Sequence, residues 1–274
     1  MAGRLDGQVA IITGASRGLG QYCALGYAEQ GAKVVVAART VTEQDKRLPG
    51  TIYHTAEMIS EAGGEAIPVV CNVADPASIV AMTEEVLSQF GRIDILMNNA
   101  AIQPPGNNWD ILQKHWKLIF QVNVHGAFDC VRAVLPTMLA QGSGNIINIS
   151  SGATQGGSPY GGTKRAVEAM TEGLAVELKD RGITANSLKP LTAIETPGFL
   201  FAEVPRGSGQ NLELPPPDSY VEAAVLLACQ TPDSYTGNVN DDAQVIANLA
   251  DAQTQQRLCE LNPDYWVEAM QASL

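Results

Sequence analysis

Tyr160 and Lys164 stand four residues apart in Tyr160-Gly161-Gly162-Thr163-Lys164. On a helix, that spacing places both side chains on one face, one turn apart. An ammonium beside a phenol favours the phenolate and lowers a pKa that starts near ~10. A tyrosine tuned in this way exchanges a proton with an oxygen near neutral pH. The pair alone is a weak signal, because helices often carry Tyr and Lys four apart on a solvated face. The upstream residues decide its meaning.

Thr13-Gly14-Ala15-Ser16-Arg17-Gly18-Leu19-Gly20 lies between an apolar run and a helical pattern. Its glycines permit a tight turn and let phosphates approach the backbone. The helix that follows offers free N–H groups and a partial positive charge. The spacing is G-x-x-x-G-x-G, not the G-x-G-x-x-G of the commoner dinucleotide fingerprint. A plain glycine-rich turn is the competing reading. At the end of the second expected strand, an acidic residue would bond ribose hydroxyls and favour NAD. Ala38-Arg39-Thr40 stands there instead. Arg39 and Arg17 could grip a 2′-phosphate bidentately, or both could be solvated.

The elements that must position these residues alternate along the chain. Strands are expected at Gln8–Thr13, Lys33–Ala38, Ala66–Cys71, Ile93–Asn98, Asn145–Ser150 and Ile183–Leu188. Helices are expected at Gly18–Gln30, Thr51–Ala62, Pro76–Phe90, Asp110–Gln141 and Gly161–Asp180, with Pro136 bending or interrupting the fourth. This rhythm predicts an α/β fold with a mostly parallel sheet covered on both faces. After Pro190 the texture changes. Leu191–Pro217 is rich in Gly and Pro and reads as a lid or linker. Ser219–Glu222 has a capping-box pattern before a helix at Val221–Cys229. Tyr235–Ile246 reads as a last strand, and Ala247–Leu274 as a helical extension that covers either a neighbour's site or its own surface. The domain is expected to span residues 1–246.

Twenty-nine acidic residues against 17 basic ones give a formal charge of −12 among 274 residues. That argues against nucleic acid and anionic membranes as partners. Cys23, Cys71, Cys130, Cys229 and Cys259 form no CxxC pair. This suits a reducing cytoplasm and gives neither a disulfide framework nor a zinc site. The three histidines lack ligand spacing, so no metal is expected. Met1–Gly7 has no apolar signal core, and no uninterrupted apolar run reaches the ~18 residues of a membrane span. Asn148-Ile149-Ser150 fits a glycosylation sequon but falls on an expected buried strand.

Five ordered motifs together resemble the classical short-chain dehydrogenase/reductase family. They are the Thr13–Gly20 loop, Asn98-Asn99-Ala100, Asn123 within Val122-Asn123-Val124, Ile149-Ser150-Ser151 and Tyr160-x-x-x-Lys164. The resemblance runs from Leu5 to about Ile246. It implies a Rossmann-type doubly wound sheet in a three-layer α/β/α single domain. It makes Tyr160 the general acid in reduction and the base in oxidation. Lys164 would lower the Tyr160 pKa and hold the nicotinamide ribose. Ser151 would bond the substrate oxygen, and Asn123 would support a relay water near Lys164. The cofactor would lie along Gly14, Ser16, Arg17, Gly18, Leu19, Gly20, Arg39, Asn72, Val73, Asn99, Ala100, Tyr160, Lys164, Pro190, Ile194 and Thr196. The family is commonly tetrameric or dimeric through two long helices, here Asp110–Gln141 and Gly161–Asp180.

A narrower resemblance, to reductases similar to hydroxysteroid dehydrogenase-like protein 2, rests on Leu48–Tyr53, Lys189–Ile194 and Ser234–Asn238. Several positions depart from the family pattern. Asn72 replaces an aspartate, Ala101 and Leu191 each replace a glycine, and an Asp-Gly-Gly near the last strand is absent, with Asn240-Asp241-Asp242 nearby. Eight residues separate Ser151 from Tyr160, a short loop. Either Ser150 or Ser151 could therefore face inward, with Ser151 favoured by register. The expected function is NADP(H)-dependent interconversion of a carbonyl and a secondary alcohol on a small substrate. Phe199, Leu200, Phe201, Val204 and Leu212 suggest an apolar pocket wall, or alternatively packing within the lid or against a neighbour. The alternatives are an NAD(H)-dependent alcohol dehydrogenase and a non-catalytic dinucleotide-binding regulator.

Overall fold

The computed structural model of the chain describes residues 3–43, 45–203, 214–263 and 265–266. Strands β1 (Val9–Thr13), β2 (Lys33–Ala38), β3 (Glu65–Val70), β4 (Ile95–Asn98), β5 (Gly144–Ile149), β6 (Ile183–Lys189) and β7 (Val239–Asp241) make one sheet. The sheet is parallel throughout, in the order β3-β2-β1-β4-β5-β6-β7. The helices are α1 (Gly18–Glu29), α2 (Ile52–Glu61), α3 (Pro76–Phe90), α4 (Gln113–Phe120), α5 (Gly126–Gln141), α6 (Pro159–Leu178), α7 (Pro197–Glu203), α8 (Asp218–Ala228), α9 (Asp242–Leu249) and α10 (Ala252–Leu261).

Every residue of β1 is buried, as a strand covered on both faces requires. Successive side chains point to opposite sides. Ala10 and Ile12 join Cys23, Ala24 and Tyr27 of α1 and Ala223 and Leu227 of α8. Val9 and Ile11 join Ile79 and Met82 of α3, Cys130 and Val134 of α5, and Leu178 of α6. Two cores thus sandwich the sheet, the doubly wound arrangement read from the alternating elements. Local chemistry sets the helix starts. Thr51 accepts from the His54 N–H, and Asp75 accepts from the Ala77 N–H with Pro76 at the first turn.

Three expectations need correction. The last strand is only Val239–Asp241, because Asp241 and Gln244 form a reciprocal capping box that starts α9. The capping box expected at Ser219 is not made. Helix α8 already begins at Asp218, and Glu222 instead pairs with Arg4 at 2.5 Å. The helix expected over 110–141 starts at Gln113 and is interrupted by a π-turn at Gln121–His125; Pro136 lies inside α5 without ending it. By length and composition the run 113–141 could cross a membrane. Here it covers the sheet, with Cys130, Val131, Val134 and Met138 in the core.

The described residues of the extension past Ile246 pack on the chain's own core. Leu258 of α10 is buried in the larger core, and Tyr265 and Trp266 close over Leu191 and Ala243. Of the expected apolar wall, Val204 and Leu212 lie outside the described residues. Phe199 is half-buried and Leu200 is exposed.

Candidate active site

The sheet order reverses between β1 and β4, and this opens a crevice at the strands' carboxyl ends. The glycine loop leaves β1 into that crevice. Gly14 and Gly18 have φ of +69° and +60°, the left-handed region that glycine enters freely. A Cβ on Gly14 would stand 2.9 Å from Ala100 Cα, and one on Gly20 would stand 2.4 Å from Asn99 Nδ2. Asn99 is a strut, because its Nδ2 donates to the Thr13 and Gly14 carbonyls at 2.8 and 3.2 Å. The Thr13 hydroxyl accepts from the Asn99 and Ala100 N–H groups, both at 3.1 Å. The loop is therefore tied to the end of β4.

Helix α1 begins at this loop with no side-chain cap and no acidic residue in its first turn. Its first N–H groups face an approaching anion without competition from a carboxylate. The glycine cradle and the uncapped helix start fit the pyrophosphate of a dinucleotide. Ser16 is buried, and Leu19 packs against the adjacent core. Thr196, at the head of α7, sits against Gly18, where an added Cβ would lie 3.3 Å from Thr196 Cβ. Ile194 is buried just before it.

Arg17 is held by the segment after β2. Its Nε donates to Pro49 O and its Nη2 to Gly50 O, both at 3.0 Å. Gly50 has φ +106°, and its N–H donates to Glu43 Oε1 at 2.8 Å. Burial lowers the Arg17 pKa; the Glu43 charge opposes this and the Arg39 charge adds to it. Arg39 itself is exposed. One corner of the crevice thus carries two guanidinium groups and one carboxylate. After β3, Asn72 Oδ1 accepts from the Ala74 N–H at 3.2 Å, and Val73 packs on Gly126.

Helix α6 supplies the tyrosine and the lysine. Ser158 caps it by accepting from the Gly161 N–H at 3.0 Å, and Pro159 fills the first turn. Lys164 is buried, and its Nζ donates to Ile149 O at 2.6 Å. The same nitrogen lies 5.6 Å from the centroid of the Tyr160 ring. Burial lowers the Lys164 pKa to about 8, against the pull of Glu168. The Tyr160 phenol is pushed up to about 12 by burial, while a hydrogen bond with Ser151 draws it down. This corrects the expected lowering by Lys164: the ammonium faces the ring and a carbonyl, and desolvation dominates.

The two serines separate cleanly. The buried Ser150 hydroxyl donates to Glu168 Oε1 at 2.7 Å. Ser151 caps the 3-10 turn Gly152–Gln155, accepting from the Ala153 N–H at 3.2 Å, and meets Tyr160. Asn123 sits in the π-turn. Its Oδ1 accepts from the Ile102 N–H at 2.9 Å. Its Nδ2 donates to Ile102 O at 3.0 Å and to Thr163 Oγ1 at 3.1 Å. Thr163 in turn donates to Tyr160 O at 2.7 Å. Asn123 therefore braces the helix that carries Tyr160. Pro190 begins the lid segment, where the Leu191 N–H donates to Asp242 Oδ1 at 2.8 Å. Sequence reasoning missed Glu168, although it stands four residues beyond Lys164 on the same helical face. It also missed the Asp242–Leu191 tie.

A family model described as short chain dehydrogenase matches residues 8–199. The chain belongs to that family. The family comprises oxidoreductases acting on CH–OH groups with NAD(P). Hydroxysteroid dehydrogenase-like protein 2 of Homo sapiens is 35% identical over 250 residues, which cover 89% of this chain and 58% of that protein. The chain thus spans less than two thirds of that relative's length. A 3-oxoacyl-acyl-carrier-protein reductase of Staphylococcus aureus is 37% identical over 245 residues, covering 88% of this chain and 89% of that one. The solved structure of a gluconate 5-dehydrogenase from Burkholderia cenocepacia, in complex with NADP and tartrate, aligns with TM-score 0.74 and 30% identity. It covers 87% of this chain and 94% of that one.

Proposed function

We propose that this short-chain dehydrogenase interconverts a carbonyl and a secondary alcohol on a small apolar substrate, with NADP(H) as cofactor. The observation that carries the reading is the meeting of Ser151, Tyr160 and Lys164 at the same carboxyl-end edge of the parallel sheet that carries the glycine loop. The bound nicotinamide supplies or accepts a hydride at the substrate carbon. Tyr160 gives its proton to the developing alkoxide, and its raised pKa keeps it protonated at neutral pH, the form that reduction requires. Ser151 donates to the same oxygen, as a donor in an oxyanion hole does. Lys164 holds the ribose and places positive charge behind the phenol.

The preference for NADP(H) over NAD(H) is supported by Arg17 of the glycine loop and by Arg39, which stands directly after β2 where an acidic residue would favour NAD; the Glu43 carboxylate in the same corner accepts from the Gly50 N–H. The NADP bound by the gluconate 5-dehydrogenase supports it as well. A second copy of the chain is the partner we propose. Its support is exposed apolar side chains on the long helices: Trp116, Leu118, Phe128 and Leu139 on α4–α5, and Val176 on α6. Sedimentation of the purified chain as a single 29.0 kDa species would rule that partner out. A cytoplasmic setting is part of the reading and is supported by five free cysteines. The test of function is paired NADPH and NADH oxidation over ketones, aldehydes, quinones and 3-oxoacyl thioesters. Turnover with NADPH on at least one class is expected. No turnover across the panel would overturn the reading.

A further inference from the structure

Glu168 is 3% exposed, an uncommon place for a carboxylate without partners. It has two partners. Oε1 accepts from the Ser150 hydroxyl at 2.7 Å, and Oε2 meets Arg165 at 3.4 Å on the solvent side. It also lies one turn beyond Lys164, itself 3% exposed. Adjacent residues of an extended segment point to opposite sides. Anchoring Ser150 on one side therefore turns Ser151 to the other, toward Tyr160. This is how a loop with only eight residues between Ser151 and Tyr160 keeps its serine in place.

We propose that Glu168 is a positioning residue of the catalytic site: its buried carboxylate holds Ser150 so that Ser151 faces Tyr160, and it is the counter-charge of the buried Lys164 ammonium. The inference rests on the carbonyl–alcohol reading above. Two lines support the charge role. Glu168 is the one charged group whose effect on Lys164 is resolved, and it opposes the desolvation that pulls the ammonium toward neutrality. Among the described residues no carboxylate makes a direct ion pair with Lys164, whose Nζ is bonded to Ile149 O; Glu168 acts on it from one helical turn away. The other groups facing the pair are the Tyr160 ring and the Arg165 side chain on α6, and the Ile149 carbonyl and Ser150 hydroxyl at the end of β5. Among the described residues, no ionisable side chain of α4 or β6 bonds to either Glu168 or Lys164.

The test separates charge from shape. Glu168→Gln keeps an acceptor for Ser150 and removes the charge. Ser150→Ala keeps the charge and removes the tie. The chain has seven lysines, few enough for ε-carbon NMR titration of the labelled protein, with Lys164→Arg identifying the signal. Lys164 is expected to titrate lower in Glu168→Gln than in the wild type, by roughly one unit for the loss of a neighbouring opposite charge. It should not move in Ser150→Ala. With the active compound from the panel, the alkaline fall of kcat should shift to lower pH in Glu168→Gln, because Lys164 then loses its proton earlier. One unit corresponds to about a tenfold change in the protonated-to-neutral ratio at fixed pH. Ser150→Ala should lower kcat about tenfold with its pH profile in place, the signature of a misplaced donor.

An unchanged Lys164 titration in Glu168→Gln overturns the charge role. Wild-type kcat in Ser150→Ala overturns the serine role. If Glu168→Gln does not fold, Glu168→Asp, with its charge drawn back by one methylene, should move the titration in the same direction by less; no movement overturns the charge role. An inactive wild type overturns the functional reading and with it the serine role, while the titration still decides the charge role.

Discussion

Asp242 gives the most exact prediction. Its carboxyl is 1% exposed at the start of α9, and burial raises its pKa from 3.8 to about 6. Hydrogen bonds from Tyr265 and from the Leu191 N–H oppose the rise, and the neighbouring Asp241 charge adds to it. A raised folded-state pKa means that the folded chain prefers the protonated acid. The stabilisation is fully present below about pH 4 and is lost as pH rises through about 6. Two units at about 1.4 kcal/mol each amount to about 3 kcal/mol withdrawn by pH 8. Asp242→Asn resembles the protonated acid. Its amide oxygen still accepts from Leu191, and its amide nitrogen can donate to the Tyr265 oxygen. The stability of Asp242→Asn minus that of the wild type should therefore grow by about 2 kcal/mol between pH 4.5 and 8, the remaining ~1 kcal/mol having been withdrawn below pH 4.5. In melting temperature this is roughly 4 °C at ~2 °C per kcal/mol for a chain of this size. Urea titrations of both proteins at pH 4.5, 6 and 8 measure it. Because the difference is taken pH by pH, the other carboxylates cancel. A difference that stays flat, or shrinks toward pH 8, refutes the reasoning.

Tyr160→Phe removes the proton donor and should lower kcat about 10²- to 10⁴-fold while NADPH still quenches protein fluorescence with wild-type affinity. Arg39→Ala should raise KM for NADPH roughly 10- to 100-fold and leave KM for NADH nearly unchanged, since a charge-assisted phosphate contact contributes about 1.5–3 kcal/mol. Equal effects on the two cofactors would remove Arg39 from the 2′-phosphate. Gly50→Ala puts a Cβ 2.3 Å from Ser16 O at φ +106°. It should cost on the order of 1–3 kcal/mol and weaken NADPH binding by releasing the carbonyl that holds Arg17; calorimetry of the melt and of binding reads both effects.

The parts legible in the sequence were those whose physics is local. The Thr13–Gly20 loop announces itself because a tight turn with positive φ needs glycine where glycine stands. Strands β1 and β2 were readable because burial on both faces demands uninterrupted apolar runs. Register favoured Ser151 over Ser150, but the contact that turns the two apart was not readable, because it involves Glu168, 18 residues beyond Ser150. Glu168 itself drew no reading, because residue type does not reveal which side of α6 meets the sheet. The last strand was misjudged because a capping box at Asp241 outweighed the β-prone texture of Tyr235–Ile246. The tail's place was likewise hidden, since Tyr265 meets Asp242 across 23 residues.

The π-turn at Gln121–His125 also has a bearing on how the chain tolerates change. A wider turn carries an extra residue relative to an α-helix, so α4 and α5 are written in different phases of one helical repeat. Removing one residue there would restore a regular helix. Because the wide turn is what absorbs that residue, α5 would keep its face, and Cys130, Val131, Val134 and Met138 would still meet the sheet. The cost would fall on Asn123, which the wide turn itself presents. The segment behaves as a spacer in a reading frame. A deletion there is a local event, whereas the same deletion inside α5 would turn every residue downstream to Gln141 by ~100° and shift it by ~1.5 Å.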